Sequence, residues 1–292
     1  MGAFMNKQLA SASAVLAVFF VAAGTARAAD MAVKAPIVPP FSWTGWYVGE
    51  NLGYGWASDP VSLTETTSST SIISHDADVP NPTFVPGPST GPTTASGSGN
   101  VNPNGVIGGI QGGYNLQSGS WVYGIEGDIQ GSGQRGSTTI CTTAGCPVGS
   151  PMGIATYSLP WFGTLRARLG FTPAPRWLVY ATGGLAVGEI DESLSAGPVG
   201  GTPGFVFSSN TTRAGFAVGG GVETVIMDNW SLKLEYIFLG FGNVGGSGTG
   251  TVVTDTFNGP RIETITTTTT TGSLNSRIGE NIVRVGVNYH FW

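Results

Sequence analysis

The sequence predicts an all-β chain, an eight-stranded antiparallel transmembrane β-barrel with long extracellular loops and short periplasmic turns. Three observations carry this. Apolar and aromatic side chains alternate with glycine or polar residues in eight separate stretches. Short and long connections alternate between those stretches. Charged residues make up only 10% of the 292-residue chain, against roughly 25% in soluble domains, and its 47 glycines are more than twice the usual ~7% share.

A pleated strand sends successive side chains to opposite faces. In "WTGWYVGENLGYGW" (43–56), Trp46, Val48, Leu52, Tyr54 and Trp56 share one face, and Tyr47, Gly49, Asn51, Gly53 and Gly55 the other. Residues 105–117 set Val106, Ile110, Tyr114 and Leu116 against Gln111 and Asn115. Residues 121–131 set Trp121, Tyr123, Ile125 and Ile129 against Glu126, Asp128 and Gln130. In 159–171, Leu159, Trp161, Leu165, Leu169 and Phe171 oppose Thr164, Arg166 and Arg168. Trp177, Val179, Leu185 and Val187 oppose Tyr180 and Thr182 in 177–188; Phe216, Val218 and Val222 oppose Arg213 and Glu223 in 213–226. The last two strands are 230–240, with Lys233 and Glu235 on the polar face, and 281–292, with Arg284, Asn288 and His290 there.

"QSGS", "TPAPR" and "MDN" are tight turns, whereas 57–104, 134–158, 189–212 and 241–280 are long and polar. That is the plan of an outer-membrane barrel, and each strand has about the ~9–11 residues a tilted span needs. Trp121, Trp177 and Trp230 each open a strand just after a short turn, where an interfacial aromatic girdle belongs. A soluble sandwich would carry many more charges on its outer faces. The Ser/Thr/Pro/Gly-rich 57–104 and the six threonines 266–271 read as mobile loop tips without a packed core of their own.

Lys7, the apolar run 9–23 and "ARA" at 26–28 make residues 1–28 a cleavable signal peptide. Residues 29–42 follow as a proline-rich periplasmic lead-in, and 43–292 form the outer-membrane β-barrel. Losing Lys7 and Arg27 takes the formal net charge from −5 to −7, which gives no support for nucleic-acid binding. Cys141 and Cys146, in "CTTAGC", read as a small loop disulfide in an oxidising compartment. A zinc site would want further Cys or His ligands nearby, and none is present.

The stretches "WTGWYVGENLGYGW", "WVYGIEGDIQGSG", "WFGTLRARLGF", "LVYATGGLAVG", "LKLEYIFLGFG" and "VRVGVNYHFW" together resemble the small porin-like outer-membrane surface proteins of alphaproteobacteria, often grouped with OmpA-type eight-stranded barrels. The resemblance spans nearly all of the mature chain outside the loops. It implies the bacterial cell outer membrane and roles described as envelope integrity, porin-like permeability or surface binding, haem included in some relatives. It implies no catalytic residue. Such proteins usually end on a phenylalanine read by the barrel-assembly machinery. Phe291, with Tyr289 and the alternate valines before it, fits that assembly signal, and Trp292 is one residue beyond it.

An eight-stranded barrel is only just wide enough for its inner side chains to fill it. By parity the inward charges are Glu126, Asp128, Glu223 and Glu235 against Arg166, Arg168, Arg213, Lys233 and Arg284. Buried charges must be paired, so they are expected to form a lumen plug of ion pairs. The alternative is a conduction path lined by alternating charge. Glu50 falls on the lipid face, where it is either protonated in place or a protomer contact, which leaves a homo-oligomer open. An enzyme is not expected, because His75 lies in a polar loop and His290 at the periplasmic end of the last strand. No cofactor and no metal is expected.

Three functions follow: a structural envelope barrel, a small porin-like channel for ions and small solutes, or a surface adhesin or ligand-binding protein acting through its loops. The expected partners are outer-membrane lipid and lipopolysaccharide.

Overall fold

The computed structural model describes residues 41–75, 83–142, 153–197, 203–257 and 262–291. Among these residues there are eleven strands: β1 (Gly45–Ala57), β2 (Asp59–His75), β3 (Thr83–Pro86), β4 (Thr90–Val101), β5 (Asn104–Ser118), β6 (Trp121–Thr142), β7 (Gly153–Ala174), β8 (Trp177–Ala196), β9 (Phe205–Met227), β10 (Trp230–Phe257) and β11 (Ile262–Phe291). The expected eight become eleven for a simple reason. β2 continues β1 beyond Ser58, β5 continues β4 beyond Pro103, and β3 is a short piece paired to the far end of β2. At the double break the Ala57 N–H donates to the Pro103 carbonyl at 2.9 Å.

Antiparallel pairing runs β5–β1–β11–β10–β9–β8–β7–β6 and back to β5, a closed ring of eight. Closure removes the unpaired edges that lipid would leave without hydrogen-bond partners. The outward face is apolar, as alternation predicts: Trp46, Leu52, Ile110, Ile125, Leu185 and Leu234 are all exposed. Aromatic pairs ring the periplasmic end, including Trp121–Phe171 at 5.6 Å and Trp230–Tyr289 at 5.1 Å. The outer end carries Tyr54, hydrogen-bonded to Asn104 at 2.8 Å, and Tyr236, bonded to Asn281 at 2.7 Å. Glu50 opens outward between Ile110 and Val287, in a register without a bulge.

One strand departs from simple alternation. Leu159, expected on the lipid face, is fully buried inside, as is Phe162. The β7–β8 register shifts between Ser158 and Phe162, around Pro160, which has no N–H for the ladder. The slip resets parity, and Trp161 instead donates outside to Glu189 at 2.7 Å.

The larger correction concerns the loops. Residues 59–75, 90–101, 243–257 and 262–276 are not structureless tips: β2 pairs with β11 and β4, and β10 with β11, from the barrel rim outward. The threonine run lies inside β11, with Thr269 between Thr251 and Ser68. Both faces of the threonine-rich part are polar, so alternation gives no signal there. Once β10 and β11 leave the rim in register, however, each further pair satisfies backbone groups without closing a new loop. The lower part of the extension also has its own core, in which Val61, Leu63, Ile140, Leu194, Leu274 and Ile278 are buried together. The β9–β10 ladder stops at Phe216–Gly240, where Gly242 takes a left-handed φ of 77° and frees β10 to continue with β11 alone.

Candidate functional site

The lumen is filled by three stacked layers. At the periplasmic mouth Phe41 and Trp43 fold back against His290, with ring centroids 5.7 Å from it, and Trp43 clusters with Val122, Leu178 and Val225. Trp43 is fully buried. Its backbone N–H is held by the Gln117 side chain at 2.8 Å, which anchors the incoming chain to β5.

The middle layer is ionic. From β7, Arg166 reaches Glu126 at 2.5 Å, Asp128 at 2.8 Å and, across the lumen, Glu235 at 3.0 Å. From β11, Arg284 reaches Glu235 at 2.7 Å and Asp128 at 3.0 Å. Lys233 meets Glu126 at 3.0 Å. Arg168 pairs with Glu223, which also accepts from Ser231 at 2.5 Å and Asn288 at 2.7 Å. Four acids thus face four bases, and every side chain among them is at most 2% exposed. Two tyrosines lock the layer. Tyr47 donates to Glu126 at 2.7 Å and Tyr180 to Glu235 at 3.1 Å, while the Arg168 guanidinium lies 3.6 Å from the Tyr180 ring centroid. Ions this deep are tolerable only when paired, since an unpaired one costs several kcal/mol; Asp128 Oδ1, Arg168 Nε and one Arg284 Nη nonetheless lack a hydrogen-bond partner.

Above this layer lies the apolar core of the extension, and embedded in it a group of carboxyls beyond the outer aromatic girdle. Glu280, in register with Ala57, accepts from Gln134 at 2.7 Å; Asp59 accepts from the Gly279 N–H at 3.0 Å. Glu280 Oε1 and Asp59 Oδ2 are buried without hydrogen-bond partners. Burial, reinforced by the charge of Asp59, pushes Glu280 up to about 8. Burial pushes Asp59 up to about 6, against the pull of the Gly279 N–H. Glu192 is raised by burial and held back by Arg213.

The sequence-predicted residues therefore separate. Glu126, Asp128, Arg166, Arg168, Glu223, Lys233, Glu235 and Arg284 meet in one cluster. Arg213 does not: it lies ten residues outward of Glu223, in register with Gly188. Both point inward by parity, but ten residues of strand separate them by about 33 Å along its axis. Tyr289 and Phe291 meet edge to face at 5.1 Å on the outer face of the last strand, while Trp292 lies outside the described residues. Cys141, near the end of β6, is disulfide-bonded; Cys146, the other cysteine of the chain, lies outside the described residues, as does the lead-in up to residue 40. Sequence reasoning missed Tyr47 and Tyr180 as plug members although their inward parity was legible. It missed Asp59 and Glu280 because they lie past the predicted strand ends.

A closed ring of eight strands with an apolar outer band, two aromatic girdles and a charge-filled lumen defines an outer-membrane β-barrel protein. The chain belongs to the family of the outer membrane protein beta-barrel domain, whose model matches residues 13–291. It is 33% identical over 278 residues to the 31 kDa outer-membrane immunogenic protein of Brucella melitensis, covering 92% of this chain and 95% of that one. It is 25% identical over 292 residues to the 25 kDa outer-membrane immunogenic protein of Brucella abortus, covering 98% of each. Among solved structures, the outer membrane protein OprG of Pseudomonas aeruginosa matches over 85% of this chain and 96% of its own, at 12% identity and a TM-score of 0.42. The protein is located in the bacterial outer membrane.

Proposed function

We propose that this is a non-catalytic, structural outer-membrane protein that contributes to envelope integrity, with its lumen closed. The observation that carries this reading is the middle layer, where Arg166 and Arg284 bridge opposite walls through Glu235 and leave no charge of the layer unpaired. An ion entering would have to replace those contacts while crossing the aromatic layer below and the apolar layer above. The test is single-channel recording of the refolded mature protein in a planar bilayer, with folding checked by heat-dependent gel mobility. Folded protein is expected to stay silent. Discrete conductance steps that change in Glu126→Gln would replace this reading with the porin-like one.

Outward aromatic and aliphatic side chains support contact with outer-membrane lipid, and the alternate apolar residues ending in Tyr289 and Phe291 support delivery by the barrel-assembly machinery. Glu50 is the exception on that face. We read it as a lipid-facing carboxyl, so Glu50→Leu is expected to stabilise the barrel by about 1–2 kcal/mol. Urea titration in vesicles measures this. A loss of stability, or a change of oligomeric state, would make Glu50 a protomer contact instead.

A further inference from the structure

We propose that Asp59, Glu280 and Tyr157 form a calcium site at the foot of the extracellular extension. The inference rests on the extension sheet and not on whether the lumen is closed.

Each of the two carboxyls is tethered by one oxygen and presents the other. Asp59, the first residue of β2, accepts the Gly279 N–H through Oδ1 at 3.0 Å, and its Oδ2 is buried without a hydrogen-bond partner. Glu280 follows Gly279 in β11, so the same tether sets the two acids side by side. It accepts from Gln134 Nε2 through Oε2 at 2.7 Å, and its Oε1 is likewise without a partner. Gln134 is fixed in turn by Ser132, whose hydroxyl donates to Gln134 Oε1 at 3.1 Å. Ligands held in this way from behind are oriented before an ion arrives. Asn281, the next residue, meets Tyr236 of the outer girdle, so the site lies at the rim of the barrel.

A third side chain points to the same place independently. Tyr157 of β7 is only 4% exposed and lies against Glu280 and Asp59, yet its hydroxyl makes no hydrogen bond of ordinary geometry. A phenol beside a free carboxylate oxygen ordinarily donates to it. Standing off, it offers a lone pair instead, and three oxygens from β2, β7 and β11 share one dry corner.

Charge calls for a cation there. The acids of the middle layer each meet a base, whereas among the described residues no base offsets Asp59 or Glu280. Glu192, the register partner of Tyr157 on β8, adds a third acid, and it is this one that Arg213 holds. Two adjacent buried carboxyls must be coordinated or protonated, and a metal ion displaces the protons as it binds. The donors are all oxygens, with no sulfur or imidazole, which selects the hard ions calcium and magnesium. An irregular, water-poor corner favours calcium, because magnesium demands near-ideal octahedral geometry and dehydrates reluctantly. No three Asp, Glu, His or Cys side chains among the described residues converge as a metal-binding group, so two carboxylates and a phenol give a weak site of the extracellular kind, roughly 10⁻⁴–10⁻³ M. A bound ion would tie β2, β7 and β11 together where the extension leaves the barrel.

The test uses the mature protein refolded in detergent, freed of metal with chelator and held at about pH 8, where protons compete least. Terbium, excited through the aromatic side chains, is the luminescent probe. It is expected to bind wild type and to be displaced by calcium at roughly 0.1–1 mM, but not by magnesium at the same concentration. Asp59→Asn and Glu280→Gln keep the side-chain shape, and each is expected to weaken calcium about tenfold. Calcium is also expected to slow proteolysis of the extension in wild type and to leave Glu280→Gln unprotected. Gel mobility checks folding. Should a carboxamide variant fail to fold, Tyr157→Phe reads the same site, with calcium weakened about threefold. Wild type that takes up neither ion overturns the proposal. So do folded variants that bind calcium as wild type does, which would place the ion elsewhere on the chain. Displacement by magnesium as readily as by calcium overturns the choice of ion.

Discussion

Arg166→Met is expected to destabilise the folded barrel by about 3–5 kcal/mol. Arg166 is the side chain that holds Glu126, Asp128 and Glu235 together, at 2.5, 2.8 and 3.0 Å. Without it three carboxylates share Lys233 and Arg284, and the layer passes from neutral to a net negative charge in a site with no room for water to compensate. Methionine keeps the volume, so the loss reports charge and not a cavity. Urea unfolding of protein refolded into phosphocholine vesicles at neutral pH measures it. Adding Glu126→Gln restores neutrality and is expected to recover part of the loss, the signature of direct coupling. A midpoint unchanged from wild type would mean that the layer is hydrated, and the closed-lumen reading would fall with it.

The second large effect is one of pH and belongs to the outer layer. Glu280 titrates near 8 in the folded protein and near its ordinary 4.5 when unfolded; Asp59 moves from 3.8 to about 6. Between those values the folded state binds more protons than the unfolded one, so stability falls as pH rises. The contribution of Glu280 is complete below about pH 4 and is lost through about pH 8, on the order of a few kcal/mol. The extracellular extension is therefore expected to resist proteolysis well at about pH 5 and to be clipped much faster at about pH 9. Glu280→Gln, which keeps the Gln134 contact within reach, is expected to flatten most of that dependence. Equal wild-type resistance at both pH values would show that the two carboxyls are not confined as described.

The barrel itself was legible because its determinants are local. Alternation within ten residues tells which side chains face lipid, and a tryptophan after a tight turn tells where the interface lies. Of the nine charges that parity placed inside, eight meet in one layer. It erred where a local rule was broken: Pro160 has no N–H, the ladder slipped, and Leu159 went in instead of out. It was silent where both faces are polar, so the threonine run looked like a loop although it lies between β10 and β2.

Parity names the side of the wall, but not the height along it or the partner opposite. Arg213 points inward yet sits too far outward to join Glu223, and Arg166 reaches Glu235 from a strand three places round the ring. The folding back of Phe41 and Trp43, the confinement of Asp59 with Glu280, and the sheet built above the rim are likewise products of closure. By itself the sequence determined that the chain is a membrane barrel, which strands build it, and that its lumen is charged, because these follow from nearest neighbours along the chain. Only the tertiary structure decided which charges pair, what packs at the two mouths and that the long loops are sheet, because those contacts join residues such as Asp128 and Arg166, 38 positions apart, or Asp128 and Arg284, 156 apart, or depend on register carried outward from the barrel.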